Sequence, residues 1–253
     1  MDLGLQDRVY VVTAASAGLG RAAADALVAE GARVVLVARR AEELKELAAG
    51  LGAERAVAVA ADLADPDTGA RACAAGLDRW GRLDGALVSV GGPPAGRVLE
   101  ITDEQWRDAF DRVFLAALRV TRAVVEQASG PDPALAWVLS TSVKSPIPGL
   151  AVSNGLRPGL AMLIKQLADE LGPSGLRIVG LAPGRVATER VRYLDSLAAD
   201  PEAARQVSEQ AIPLRRYGRP EEFGRVAAFV LSPAASYLTG CVVAVEGGAL
   251  RSL

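Results

Sequence analysis

The sequence predicts an α/β protein in which a doubly wound sheet of about seven parallel strands carries helices on both faces. Short, continuous apolar runs alternate along the chain with amphipathic stretches of helical length. Such runs are typical of parallel strands, because helices cover both faces of a parallel sheet. Of the 253 residues, 51% are hydrophobic, which is enough for a large core, and no linker-like stretch divides them. We therefore expect a single domain over residues 1–253.

Each predicted element follows from this alternation. The predicted strands are residues 8–13, 33–38, 56–60, 85–90, 135–139, 176–181 and 242–245. The predicted helices are residues 18–30, 41–50, 66–80, 103–127, 152–171 and 220–231. Repeated strand–helix–strand units of this kind build a Rossmann-like sheet. Residues 185–215 are less regular and more charged, and we expect them to form a helical flap beside the site.

The complete absence of histidine narrows the chemistry. It excludes Ser–His–Asp and Cys–His nucleophile systems, His-ligated zinc and His general bases, and no metal site is predicted. A net charge of −2 without a basic block favours neither nucleic acid nor an anionic membrane as a partner. No apolar run reaches the roughly 18–20 residues of a membrane span, and the N-terminus has no signal-peptide pattern. We therefore expect a cytoplasmic protein that acts on a small-molecule substrate.

A glycine-rich turn, residues 13–20 (TAASAGLG), joins the first predicted strand to the first helix. The backbone N–H groups of such a turn can meet the pyrophosphate of a dinucleotide. The residues expected to form this site are Thr13, Ser16, Gly18, Leu19 and Gly20. The alternative is that the two glycines only permit close packing of the strand against the helix. Ala14 stands within the turn, and because alanine ordinarily takes a negative φ, we expect a slightly altered turn there.

Two arginines, Arg39 and Arg40, follow the second predicted strand. An acid at this place would bind the adenosine ribose and repel a 2′-phosphate, whereas guanidinium groups suit bidentate contact with phosphate. We therefore expect NADP(H) rather than NAD(H) as the cofactor. The alternative is a pair of solvated charges that opens a helix together with Glu42 and Glu43.

Further motifs recur in order along the chain. Residues 13–20 are similar to TGxxxGxG, residues 83–91 to LDxLVNNAG, of which Gly91 is retained, and residues 183–188 to a PG motif. The closing segments, residues 213–222, 236–240 and 246–248, resemble those of bacterial 3-oxoacyl-carrier-protein-reductase-like proteins. Over about residues 5–249 the chain thus resembles the short-chain dehydrogenase/reductase family.

The resemblance implies roles for several residues. In this family an Asp-containing pair after the third strand contacts adenine, and the PG motif contacts the nicotinamide carboxamide. The additional residues that it implies for cofactor binding are Asp62, Leu63, Gly91, Arg157, Pro183, Gly184, Val186 and Thr188. Asp62 could instead be only a helix N-cap before Pro66. Family members pair through their fourth and fifth helices and their C-terminal segment, which implies a homo-oligomer, either a tetramer or a dimer.

The catalytic end departs from the family pattern. There a Ser positions the substrate oxygen, a Tyr transfers the proton, a Lys binds the nicotinamide ribose, and an Asn holds a water. Ser140 matches the Ser, but Ser153, Arg157 and Val113 stand at the Tyr, Lys and Asn places. A serine hydroxyl is a far weaker acid than a phenol, and Arg157 stays protonated and cannot shuttle a proton. Ser140, Ser153 and Arg157 are the predicted catalytic residues.

Two functions remain open at this point. The first is an oxidoreductase that transfers a hydride between NADP(H) and a carbonyl or alcohol substrate, its proton delivered by a water that Ser140 and Ser153 hold. The alternative is a catalytically degenerate relative that binds a nucleotide or metabolite without redox turnover. An isomerisation or elimination is disfavoured, because no carboxylate pair is placed to support it. Ser142, Lys144 and Tyr193 are weaker candidates for the proton donor.

The helix that holds Ser153 and Arg157 has an unusual composition. At i and i+4 these two residues share one helix face. Gly155, Pro158 and Gly159 are expected to loosen or shift its start, since proline removes a backbone donor. An alternative role for Ser153, and for Asn154 beside it, is that of a helix N-cap.

Overall fold

The parallel sheet predicted from the sequence is present. The computed structural model describes residues 1–252 and contains seven strands. They are β1 (Val9–Thr13), β2 (Arg33–Ala38), β3 (Ala56–Ala60), β4 (Gly85–Val88), β5 (Ala134–Val138), β6 (Arg177–Pro183) and β7 (Cys241–Val245). Their order across the sheet is β3-β2-β1-β4-β5-β6-β7, and every neighbouring pair is parallel.

The strand order reverses beside β1. Val11 of this strand is paired with Val35 of β2 on one side and with Ala86 of β4 on the other. From β1 the chain continues to β2 on one side, whereas β4 and the strands that follow it lie on the other side. A crevice therefore opens beyond the carboxyl ends of β1 and β4. This crevice is where the fold positions its ligand site.

The described helices cover every helix predicted from the sequence. They are α1 (Gly18–Ala29), α2 (Ala41–Leu51), α3 (Thr68–Trp80), α4 (Asp103–Ala109), α5 (Ala116–Gln127), α6 (Ala151–Leu171), α7 (Glu189–Asp195), α8 (Pro201–Ala211) and α9 (Pro220–Leu231). The predicted helix over residues 103–127 is α4 and α5 joined by a π-helical stretch, Phe110–Leu115. Thr102 begins it with a capping box, because its hydroxyl accepts from the amide of Gln105 and the Gln105 side chain accepts in return.

Two apolar layers cover the sheet. One lies under α1, α2 and α9 and includes the fully buried Leu27 and Phe223. The other lies under α3, α5 and α6 and includes Trp137 and Ile164. Helices α1 and α9 approach so closely that a Cβ at Gly224 would lie 2.2 Å from the carbonyl oxygen of Ala22. Each large aliphatic or aromatic side chain buried in these layers contributes about 1.5–3 kcal/mol to stability.

The segment predicted as a helical flap contains two helices, α7 and α8. Its two ends are joined by backbone hydrogen bonds, from Ala187 N to Gly218 O at 2.8 Å and from Gly218 N to Arg185 O at 2.9 Å. Side chains strengthen this junction: Asp195 accepts from the guanidinium of Arg185 and from the hydroxyl of Tyr217, the latter at 3.2 Å. The flap is thus closed into a loop at its base.

Across residues 1–252, none of the helices combines the length and the apolar character that crossing a membrane requires.

Candidate active site

A central cavity of about 480 Å³ lies along the carboxyl ends of the strands. It extends from the glycine-rich turn to the start of α6 and is bordered on the outside by α7. The residues predicted from the sequence that line it are Gly18, Leu19, Gly20, Gly91, Ser140, Ser153, Arg157, Pro183, Gly184, Val186 and Thr188. The fold therefore brings the predicted nucleotide-binding and catalytic residues to one wall.

A side cavity of about 360 Å³ adjoins the central cavity and shares the loop at Gly91 with it. The predicted residues that line it are Ser16, Arg39, Arg40, Asp62 and Leu63. Thr13 borders neither cavity. Its hydroxyl donates to Ser89 O at 2.6 Å and accepts from Ser89 N at 2.8 Å, so this side chain joins β1 to the end of β4 behind the site.

The glycine-rich turn has a backbone conformation that differs from our expectation. Ala14 adopts a left-handed φ of +50°, and the ordinary negative φ expected of alanine is wrong. The chain reverses tightly here, since a Cβ at Gly20 would lie 2.5 Å from the carbonyl oxygen of Ala14. For an alanine this conformation costs about 1–2 kcal/mol.

The amino end of α1 opens onto the central cavity. Its N-cap residue, Ala17, provides no side-chain hydrogen bond, and the first turn of the helix contains no acidic residue. The first backbone N–H groups of the helix therefore lack an internal acceptor, and the helix dipole makes this end positive. The site has the character of an anion-binding helix terminus.

Basic side chains gather at the side cavity. Arg40 donates to the Ser16 hydroxyl at 3.2 and 3.3 Å, and Arg39, which is largely exposed, lies 4.0 Å from Asp62. Asp62 accepts from the amide of Ala64, and this hydrogen bond, with the nearby arginines, lowers the pKa of its carboxyl. Asp62 does not cap α3, because the N-cap position is Asp67.

Arg112 is a residue of the side cavity that the sequence did not single out. It donates to Asp62 at 3.1 Å and to Asp108 at 2.7 Å, and so joins the third strand's loop to α4. The sequence signal for the contact with Asp108 was the i+4 spacing of Arg112 after it on a predicted helix. Val113, at the place of the family's Asn, follows directly and is buried in the π-helical stretch.

Three serines occupy the catalytic end. Ser140 lies in the loop after β5, and its Oγ accepts from the amide of Ser142 at 3.1 Å. The Oγ atoms of Ser142 and Ser153 lie 3.1 Å apart, and both side chains are buried. Ser153 therefore pairs with Ser142, whereas the sequence had suggested that it acts with Ser140.

Arg157 lies one helical turn after Ser153 and is only 6% exposed. It donates from Nη1 to the carbonyl oxygen of Val138, at the end of β5, at 2.6 Å. Burial and the nearby positive charge of Arg190 lower the pKa of Arg157 to about 10. Its guanidinium therefore remains positively charged at neutral pH.

The start of α6 differs from the prediction in two respects. The helix begins at Ala151 and is capped by Leu150, so the N-cap role suggested for Ser153 and Asn154 is wrong. The side-chain amide of Asn154 instead contacts the loop before the helix: its Oδ1 accepts from Ile147 N at 3.0 Å, and its Nδ2 donates to Ile147 O at 2.9 Å. The expected loosening of the helix start is also wrong, because α6 continues through Pro158 without a break.

The other candidate donors, Ser142, Lys144 and Tyr193, are not among the described residues that line the central cavity. The exposed Tyr193 ring instead lies 5.5 Å below the guanidinium of Arg190. Arg190 lines the cavity and was missed by the sequence analysis; its position two residues after Thr188 of the PG motif was the available signal.

Comparison with known proteins identifies the family. The family described as Enoyl-(Acyl carrier protein) reductase matches residues 13–249. A dehydrogenase/reductase SDR family member 4 from Oryctolagus cuniculus is 32% identical over 250 residues, which cover 97% of this chain and 94% of the relative.

The chain belongs to the short-chain dehydrogenase/reductase family.

Other family members show the same extent of similarity. Galactitol 2-dehydrogenase (L-tagatose-forming) from Cereibacter sphaeroides is 33% identical over 243 residues, with 94% and 92% of the two chains covered. The crystal structure of L-sorbose reductase from Gluconobacter frateurii, complexed with NADPH and L-sorbose, superposes with a TM-score of 0.92 at 28% identity and covers 100% of both chains.

A further structure of the family concerns the cofactor. It is 3-ketoacyl-(acyl-carrier-protein) reductase from Brucella melitensis, complexed with NADH, with a TM-score of 0.86 at 27% identity over 97% and 99% of the two chains. The predicted family, Rossmann-like fold, oxidoreductase class and nicotinamide type of cofactor are confirmed. NADPH in one relative and NADH in another show that the shared fold accommodates either, so the predicted preference stays a prediction.

Proposed function

We propose that this protein transfers a hydride between NADP(H) and a carbonyl or alcohol substrate in its central cavity. The uncapped N-terminus of α1 supports this most directly, because it opens onto the same cavity as Ser140 and Arg157. The pyrophosphate site and the reaction site therefore lie in one continuous space. The protein acts in the cytoplasm as a single domain whose flap covers the substrate.

The residues present fit a dinucleotide. A Cβ at Gly91 would meet no atom within 4 Å, so the backbone of this loop borders open space in which a ligand can approach closely. The α1 terminus would hold the pyrophosphate, Arg157 the nicotinamide ribose, and the PG motif the carboxamide. Arg39 and Arg40, which border the side cavity, provide the contacts for a 2′-phosphate.

The bound cofactor would supply or accept the hydride, and the protein's own groups prepare the substrate. The Ser140 hydroxyl accepts from the Ser142 amide, so its own proton is available to a substrate oxygen. Arg157 adds a fixed positive charge beside the place where negative charge develops on that oxygen. Proton transfer then uses the Ser153–Ser142 hydroxyl pair or a water, and the lack of a phenol lowers the rate by about 10²–10⁴-fold.

A second candidate function follows from the composition of the cavity wall. Among its described residues there is no Tyr, Lys or Cys, and Glu189 is its one acid. Such a wall can bind a nucleotide without an efficient proton donor. This observation favours a binding protein without redox turnover as the alternative.

Steady-state oxidation of NADPH over a panel of ketones and acyl thioesters tests the first proposal. We expect slow, saturable turnover that falls at least tenfold in Ser140→Ala, because this variant lacks the donor to the substrate oxygen. Calorimetric titration with NADPH and NADH provides the second measurement. Tight binding without turnover above the Ser140→Ala level would instead establish the second candidate.

We also propose a homo-oligomer, a tetramer or dimer, that uses the outer face of α4 to α6. This face exposes Phe110, Val125 and Met162, which a partner subunit would cover. Light scattering of the unchanged protein and of Met162→Glu measures the oligomeric state of each. A monomer in the unchanged protein would contradict it.

A further inference from the structure

The central cavity contains two guanidinium groups without a carboxylate partner. Arg157 is nearly fully buried, and Arg190 is half-buried at the start of α7. Neither forms an ion pair with any Asp or Glu of residues 1–252 within 4.0 Å. Each donates instead to a backbone carbonyl, Arg157 to Val138 and Arg190 to Pro93.

The other charges around the cavity do not neutralise this pair. Arg185 also lines the wall, but it is bound to Asp195. Glu189 is the one acid on the described wall, and it makes no ion pair with Arg157 or Arg190. The cavity therefore has an excess of positive charge at the end where Ser140 and Ser153 lie.

Burial of unpaired like charges is unfavourable. A buried charge without a partner costs free energy, and a second positive charge nearby adds to this cost. Both effects lower the pKa of Arg157, and burial lowers the pKa of Arg190. An anion placed between the two groups would offset both penalties.

Arg190 is held in place for such a contact. Its Nη2 donates a hydrogen bond to Pro93 O, and its guanidinium lies over the ring of Tyr193. It also passes closely over Gly92, where a Cβ would lie 2.6 Å from its Nε. A side chain held by three contacts loses little further freedom when a ligand binds.

We propose that the substrate of this site carries a carboxylate, that Arg190 binds it, and that Arg157 adds positive charge from the cavity floor. The planar fork of a guanidinium matches a planar carboxylate. This inference rests on the proposed function, because it concerns the same cavity. In the proposed function the N-terminus of α1 holds the cofactor's pyrophosphate, and Arg190 is therefore assigned to the substrate.

The experiment compares short 2-, 3- and 4-oxo acids with their neutral amides, at saturating NADPH, in the unchanged protein and in Arg190→Gln. Arg225→Gln is the control, because Arg225 is exposed on α9 and lines neither the central cavity nor the side cavity. We expect Arg190→Gln to lower kcat/KM for the preferred oxo acid by about 10- to 100-fold, with the amides unaffected. Arg225→Gln should leave the kcat/KM values of both the oxo acid and its amide unchanged.

Several outcomes would overturn this inference. They are an absence of acid-over-amide preference across the whole series, an equal loss for acid and amide in Arg190→Gln, and a weaker Kd for NADPH in that variant. The last would place Arg190 on a cofactor phosphate. Inorganic phosphate that inhibits more strongly than acetate would assign the charge to a phosphate-bearing substrate instead.

A binding measurement separates this inference from the proposed function. Calorimetry of the oxo acids and amides with the NADP⁺-loaded protein requires no redox turnover. Acid binding that Arg190→Gln abolishes would support the carboxylate site even if the protein reduces no ketone. Turnover of neutral ketones without any acid binding would sustain the proposed function and overturn the carboxylate site.

Discussion

The hydroxyl oxygens of Ser142 and Ser153 lie 3.1 Å apart, in a buried contact between the loop after β5 and the first turn of α6. The contact makes Ser142 the immediate partner of the residue that stands in the place of the family's tyrosine. Two aliphatic hydroxyls of equal acidity can exchange a proton, but neither is a strong donor to a substrate. Proton delivery is therefore the expected limit on turnover.

Introduction of a phenol at this position tests that limit. Ser153→Tyr places a group with a pKa of about 10 beside the charge of Arg157, which favours its ionised form and strengthens it as an acid. We expect turnover of NADPH with a ketone to rise by about 10²–10⁴-fold. The matched control is Ser153→Phe, which fills the same space without an acid. If the two variants turn over at the same rate, proton delivery is not the limiting step.

The left-handed alanine of the glycine-rich turn should be a site of strain. Ala14→Gly removes a cost of about 1–2 kcal/mol in the folded state and adds about 0.4–1 kcal/mol of chain entropy to the unfolded state. The net expectation is a stabilisation of about 0.5–1 kcal/mol, which is a rise in Tm of about 1–4 °C for a chain of this size. Thermal unfolding measures it. Ala53→Gly, at an exposed turn residue without a positive φ, should not raise Tm. A Tm for Ala14→Gly at or below that of the unchanged protein would contradict the strain.

The preference for NADP(H) should depend on the side cavity. Replacement of Arg39 and Arg40 by Gln removes two donors to a 2′-phosphate and should raise the Kd of NADPH by about 10- to 100-fold. The Kd of NADH should change by less than about twofold, since NADH has no phosphate there. Fluorescence titration gives both constants. Lys45→Gln, an exposed charge change on α2, the helix that follows the two arginines, is the control. Equal losses for the two cofactors would show that the arginines do not select the 2′-phosphate.

Stability in acid should depend on Glu222 at the start of α9. Its bidentate ion pair with Arg216, together with the amide of Arg219, lowers its pKa from 4.5 to about 2. Because the folded-state pKa is depressed, the stabilisation is present above pH 4.5 and is lost as the pH falls towards 2. Glu222→Gln should therefore have a lower Tm at pH 7, and the difference should narrow below pH 4.5.

The neighbouring Glu221 provides the control for that pH dependence. It is on the same turn of α9 but forms no ion pair within residues 1–252. Glu221→Gln should leave the Tm at pH 7 close to that of the unchanged protein. A Tm difference for Glu222→Gln that persists unchanged at pH 3 would mean that the carboxylate charge is not its source.

The sheet could be predicted because its signal is local. Continuous apolar runs such as residues 33–38 must be buried on both faces, and few structures other than a parallel strand allow this. The helices were predictable for the same reason, from their amphipathic period. The preference for right-handed crossovers between parallel strands then restricts the order in which the strands can lie across the sheet.

The details of the site depend on contacts between distant segments, and the sequence could not provide them. The left-handed φ of Ala14 belongs to a turn that closes against Gly20, whereas the residue type alone predicts the opposite sign. The pairing of Ser153 with Ser142 depends on how the loop before α6 folds back, and Asn154 binds that loop at Ile147 where a cap had been predicted. The residue types predicted where the site lies, but tertiary packing determines which side chains contact each other.

The closed base of the flap has a consequence for how this protein could change. Arg185, Asp195 and Tyr217 join the two ends of the segment beside the cofactor end of the cavity. Beyond them lies α8, none of whose residues is buried. Mutations in residues 196–211 can thus accumulate without disturbing the nucleotide site. None of residues 196–211 lines the central cavity, so this outer part of the flap can diverge in sequence over evolutionary time while the site is preserved.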